Sequence, residues 1–117
     1  MNAIERLGRR WGQYADDSPT LLEVDAVTHL ADAPACLSLA LVGADLRTRW
    51  LHPTRDNEAL IAYDHDRDPV REAALLTVMR TQAPAISGTL NVSVAGRSFV
   101  IYAPVHRNGQ LHGFVAA

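Results

Sequence analysis

The feature that most constrains this chain is its last third. Phe99, Ile101, Ala103 and Val105 alternate with Val100 and Tyr102, so residues 98–105 are apolar on both faces. Such a segment reads as a central strand covered on both sides. Asn108-Gly109 follows, then a further apolar run over 111–116. Both turn residues tolerate positive φ, so the pair predicts a tight hairpin between two antiparallel strands. Upstream, Leu37, Leu39 and Leu41 alternate with smaller residues from Cys36, and a Gly43-Ala44-Asp45 turn leads into a strand over 48–51. Leu90, Val92 and Val94 alternate with Asn91 and Ser93, and Ala95-Gly96 offers the next turn. The sum is an α+β fold with one five-stranded antiparallel sheet and helices on its faces.

The period is helical elsewhere. Ile4, Leu7, Trp11 and Tyr14 are spaced three, four and three, a seam of less than two heptads. This stripe can pack on its own domain or pair between two chains, and the second option makes the N-terminal helix a homodimer contact. Gly8 and Gly12 each cost about 1 kcal/mol against Ala, so the helix needs a partner surface. Ser18-Pro19 opens a second helix with Leu22, Ala26, Leu30 and Ala33 on one face, ending at Pro34. Asp68-Pro69 opens a third between strands 2 and 3, with Asp68 as N-cap. Its predicted buried stripe is Val70, Ala74, Leu75, Val78 and Met79, with Arg71 and Arg80 outside. The predicted organisation is N-terminal helices over 1–34 and a sheet-bearing core over 35–117.

Composition narrows the function. The chain has 117 residues, which fits one domain. Eleven arginines stand against thirteen acidic residues, with no lysine, so the net charge of −2 gives no electrostatic case for nucleic acid. The Arg6, Arg9 and Arg10 cluster reads as a solvated helix face. No run approaches 18 apolar residues, and no charged-then-apolar leader opens the chain. The sequence then reads as cytosolic, or as a piece cut from a longer protein. Its still-apolar end, Phe114-Val115-Ala116-Ala117, favours the piece.

Motifs for chemistry are tested and fall away. Asp64-His65-Asp66-Arg67-Asp68 begins like a calcium loop, but Pro69 stands where Gly is needed and Leu75 where Glu is needed. The five histidines make no metal-spaced pair, so no metal is expected. His106 and His112 flank the hairpin turn as surface polar residues. Cys36, the only cysteine, sits among apolar neighbours and reads as a small buried hydrophobe. No Gly-x-Ser-x-Gly elbow or phosphate loop exists. Nothing argues for an enzyme, and no cofactor is expected: no residue points to haem or flavin.

An ordered series of short motifs resembles the CHASE domain family. It runs from Arg49-Trp50-Leu51-His52-Pro53 through Asn57-Glu58, Asp64 and the 69–80 helix to Ser87-Gly88-Thr89-Leu90, Ala103-Pro104-Val105 and Gly113-Phe114. Trp11 to Leu41 resembles the lead-in helices and first strand. The resemblance implies a PAS-like, commonly dimeric domain outside the cytoplasm, in the periplasmic part of an inner-membrane receptor. The membrane segments would lie outside this sequence, and the outputs would be histidine kinases or diguanylate cyclases. It also implies a small-molecule ligand of unknown identity. In plant members an Asp before the central helix contacts the ligand, which falls on Asp64. The segment after that helix falls on Ile86 and Ser87, and a polar residue on the next strand on Ser93. Tyr63 and Tyr102 add apolar area with a polar tip. Against these readings stand a loop acid or cap for Asp64, core packing for Tyr102 and surface exposure for Ser93. The rival to a ligand sensor is a dimerisation module of the same fold.

Overall fold

A computed structural model describes residues 2–33, 35–55, 57, 61, 63–88, 90–92 and 96–117. Helices α1 (Asn2–Gln13) and α2 (Pro19–Asp32) precede strands β1 (Leu39–Gly43) and β2 (Thr48–His52). A short 3-10 turn, His65–Arg67, leads into α3 (Pro69–Thr81). Then follow β3 (Ala85–Ile86), β4 (Leu90–Val92), β5 (Gly96–Ser98), β6 (Ile101–Arg107) and β7 (Gln110–Ala116). Five strands form one antiparallel sheet in the order β2-β1-β7-β6-β3. The α+β fold with one helix between strands 2 and 3 is the expected one.

The pleat sorts the core into two layers. Leu39, Leu41, Ala103, Val105 and Val115 face α1 and α2, meeting Ile4, Leu7, Trp11, Leu22 and Ala26. Their neighbours Ala40, Val42, Tyr102, Phe114 and Ala116 face α3, meeting Ala74, Leu75 and Val78. Successive side chains of a strand point to opposite faces, so doubly apolar strands must lie between two layers. The Asn108-Gly109 turn has φ of 55° and 76°, the positive values its chemistry suits.

Helix α1 lies directly on β6. A Cβ added at Gly8 would sit 2.5 Å from the Pro104 carbonyl oxygen, and one at Gly12 would overlap the His106 carbonyl. The stripe Ile4, Leu7, Trp11 is therefore buried against the chain's own sheet, with Trp11 only 1% exposed. That decides between the two packings and removes the stripe as the homodimer contact. The helix is pinned at its end, where the Arg107 guanidinium donates to the Trp11 carbonyl oxygen at 2.9 Å and pairs with Asp17 at 3.0 Å. Tyr14 and Arg10 both donate to Asp25, joining α1 to α2.

Other expectations are corrected. The fifth strand of the sheet is the two-residue β3, while β4 pairs with β5 in a separate ribbon. Residues 93–95, which complete the expected 90–94 strand and its turn, lie outside the described residues, as does Pro34. The strand expected from residue 98 begins at Ile101 because Ser87 captures Val100: the Ser87 amide donates to the Val100 carbonyl at 2.8 Å. The Val100 amide donates to Ser87 Oγ at 2.9 Å. On α3, Arg71 is buried and Val70 is exposed, the reverse of the predicted stripe. The Asp68 cap forms as expected, accepting from the Val70 amide at 2.9 Å. Cys36 is half-buried with its thiol pushed up by burial.

Candidate ligand-binding site

The segment 63–65 is laid along the start of β2. The Thr48 amide donates to the Tyr63 carbonyl at 2.9 Å, and the His65 amide to the Leu46 carbonyl at 2.8 Å. Arg47 and Asp64 form the bridge between them, and the Arg47 guanidinium lies 3.8 Å from Asp64 Oδ2. This pairing presents the Tyr63 ring toward Arg71 in the first turn of α3.

Behind them, His65 is buried, 2% exposed. Its Nε2 is 2.7 Å from Thr48 Oγ1 and its Nδ1 2.8 Å from the Tyr102 hydroxyl. A neutral imidazole has one N–H and one lone pair, so it donates to one hydroxyl and accepts from the other. Burial first, then the Arg71 charge, lower the His65 pKa to about 4; Asp64 and Asp68 pull the other way. Burial likewise pushes the Tyr102 phenol up to about 12.

Arg71 is the central cation. It is 8% exposed, and its guanidinium lies 5.2 Å from the centroid of the Tyr63 ring. Its Nε faces Asp68 Oδ2 at 3.4 Å without a hydrogen bond to any described group. That Nε–H is therefore a donor open to a further acceptor. On the other side, a Cβ at Gly88 would meet Val70 at 3.3 Å, so residues 86–88 rim the first turn of α3.

Of the residues singled out from sequence, Tyr63, Asp64 and Tyr102 come together. Tyr102 stands behind the site, fully buried, with its hydroxyl on His65. Ile86 and Ser87 lie on the adjoining edge, since Ala85 pairs with Tyr102 and Ile86 with Ile101. Ile86 is 52% exposed, while the buried Ser87 hydroxyl is held by Gly88 and Val100. Ser93 lies outside the described residues. Sequence reasoning missed Arg71, His65 and Thr48. The Asp68–Arg71 spacing of three at a capped helix start was the available signal for the first.

Two clefts lie elsewhere. One of about 760 Å³ opens between α1 and α2 and includes Arg9, Arg10, Val24 and Asp25. Two of its three arginines are engaged, Arg9 with Glu5 at 3.2 Å and Arg10 with Asp25 at 3.1 Å. A smaller one, about 310 Å³, lies between α1, Gln82 and His106. No helix among the described residues is long and apolar enough to cross a membrane.

Comparison with known proteins bears on the fold and the family. No curated protein matches the sequence. Among solved structures, the ligand-binding domain of the Pseudomonas aeruginosa PAO1 amino acid chemoreceptor PctB in complex with L-Arg is similar, with a TM-score of 0.71 at 23% identity. The match covers 99% of this chain and 46% of that one. The corresponding domain of PctC from the same organism, in complex with GABA, gives a TM-score of 0.66 at 17% identity, over 99% and 49%. An extracellular ligand-binding receptor from Desulfohalobium retbaense DSM5692 gives 0.67 at 19%, over 98% and 20%. At these identities the likeness is one of fold, and this chain spans less than half of each neighbour. The CHASE domain family model matches residues 48–117, from the start of β2 to the last residue, and the chain belongs to the CHASE domain family.

Proposed function

We propose that this chain is the extracytoplasmic ligand-sensing domain of a membrane-bound bacterial receptor. It binds a small molecule between α3, the 63–68 segment and the 86–88 edge. It does no chemistry itself and relays its binding state to a cytoplasmic output such as a diguanylate cyclase or histidine kinase. The observation that carries the reading is Arg71: a buried guanidinium with an unsatisfied Nε, flanked by Asp68 and the Tyr63 ring. A cation beside the Asp68 carboxylate, on the segment that also carries Asp64, suits a ligand carrying both charges, with its carboxylate on Arg71 and its ammonium toward the acids of that segment. Amino acids are that class, and the chemoreceptor neighbours are in complex with L-Gln, L-Arg and GABA. Tyr63, Ile86 and Ser87 complete the wall, with Tyr102 supporting it from behind.

A thermal-shift screen of amino acids, organic acids, purines and divalent cations tests this. Ligand at about 100 times its dissociation constant adds roughly 2.7 kcal/mol, a shift of several degrees. The expected hit is an amino acid whose shift is lost in Arg71→Met and in Asp64→Asn. A library without a hit overturns small-molecule sensing by this site.

The second reading, an interaction module without a ligand, is favoured by the outward face of α2, where Leu21, Val24 and Val27 are exposed. With the α1 stripe buried, a homodimer would use this outer face. Sedimentation of Val24→Glu, together with the ligand screen, tests this reading: loss of a dimer with no ligand found supports the module, and an unchanged sedimentation coefficient removes this face as its contact.

A further inference from the structure

We infer that His65 is a positioning residue, locking the Tyr63–Asp64 wall of the candidate site onto the sheet while neutral and releasing it when protonated. The inference adds acid control to the site proposed above and rests on that reading, but its test uses no ligand.

The lock is a buried tether across three elements. Through Nε2 it holds Thr48 at the start of β2, and through Nδ1 it holds Tyr102 on β6. The His65 backbone belongs to the segment that carries Asp64, so the ring fixes where that carboxylate stands. The segment is joined to β2 by the Thr48–Tyr63 and His65–Leu46 backbone bonds and by the exposed Arg47 beside Asp64.

Every neighbour bears on the proton. From α3, Arg71 opposes a charged ring. From the segment itself, Asp64 and Asp68 favour one. Tyr63 stacks edge-on at 5.1 Å, and Tyr102 edge-on at 5.7 Å from β6. Arg47, from the β2 side, offsets Asp64. Burial and Arg71 prevail, holding the ring neutral down to about pH 4. Once the segment lifts and the ring meets water, its pKa returns to the ordinary 6.5. Acid therefore favours the lifted state. With those two values, its population relative to the closed state rises roughly tenfold between about pH 7.5 and pH 5.5.

Hydrogen exchange of the Thr48 and His65 amides reads this directly. After correction for intrinsic exchange, their protection should fall roughly tenfold over that pH interval, while β6–β7 amides hold. His65→Gln keeps a donor and an acceptor but does not titrate, so its protection should be flat with pH. Equal wild-type protection at both pH values overturns the inference, as does the same loss in His65→Gln. If the variant fails to fold, nitrogen NMR of the wild-type ring decides. One protonated and one bare ring nitrogen at about pH 5.5 is the expected result, and an imidazolium there overturns the lock. A failed ligand screen leaves these readings intact, so the two failures are distinguishable.

Discussion

At the scale of single residues, the informative ones are polar groups placed where water is absent. Tyr102 has no exposed surface, and its hydroxyl meets His65 Nδ1 at 2.8 Å. Tyr102→Phe keeps the ring's packing but strands a buried imidazole nitrogen. An unsatisfied buried polar atom costs about 1–3 kcal/mol. Urea denaturation should show that loss at neutral pH, and an unchanged midpoint would mean that water replaces the phenol. These side chains also mark where sequence reading stopped. Asp64 and Tyr63 were reachable through family resemblance. Arg71 was assigned to solvent because arginine is rarely buried. His65 was one histidine among five, and its partners lie 17 and 37 residues away, a tertiary fact that no local pattern carries.

At the scale of elements, α1 shows propensity yielding to packing. In an isolated helix, Gly12→Ala stabilises by about 1 kcal/mol. Here the new methyl would clash with the His106 carbonyl oxygen, which is backbone and cannot rotate away. The helix must lift, loosening Trp11 and Leu7 from the sheet, so we expect a net loss of about 1–3 kcal/mol. A thermal melt gives the sign, and a higher melting temperature would show that α1 does not rest on β6 as described. The helices, β1, β2 and the β6–β7 hairpin were legible because their periods are clean and their turns carry their own chemistry. Strand β3 was not: two residues after Pro84 have no period, and only pairing with β6 makes them a strand. Nor does alternation over Leu90–Val92 say which sheet a strand joins, since the choice of partner is made in three dimensions.

At the scale of the whole molecule, the pH dependence of stability is set by how many protons the folded and unfolded chains hold. The His65 pKa falls from 6.5 to about 4 on folding, so between those values the unfolded chain holds the extra proton. Stability then rises with pH through this window, is complete above about 6.5, and declines by about 3 kcal/mol as pH falls to 4. A second acid limb lies lower. Asp17 is partly buried, which alone would raise its pKa, but hydrogen bonds from His112 and Arg107 outweigh burial and lower it. Its contribution is present above the ordinary 3.8 and lost as pH falls through the depressed value. At the alkaline end the sign reverses. The Tyr102 phenol, near 12 when folded, keeps its proton where the unfolded chain loses it above 10, so stability falls as pH rises past 10. Urea midpoints followed by tryptophan fluorescence across pH should therefore trace a dome, and His65→Gln should remove only the limb between 6.5 and 4. If that limb survives the substitution, the protons taken up there belong to other groups, and the buried imidazole is not what makes the fold acid-labile.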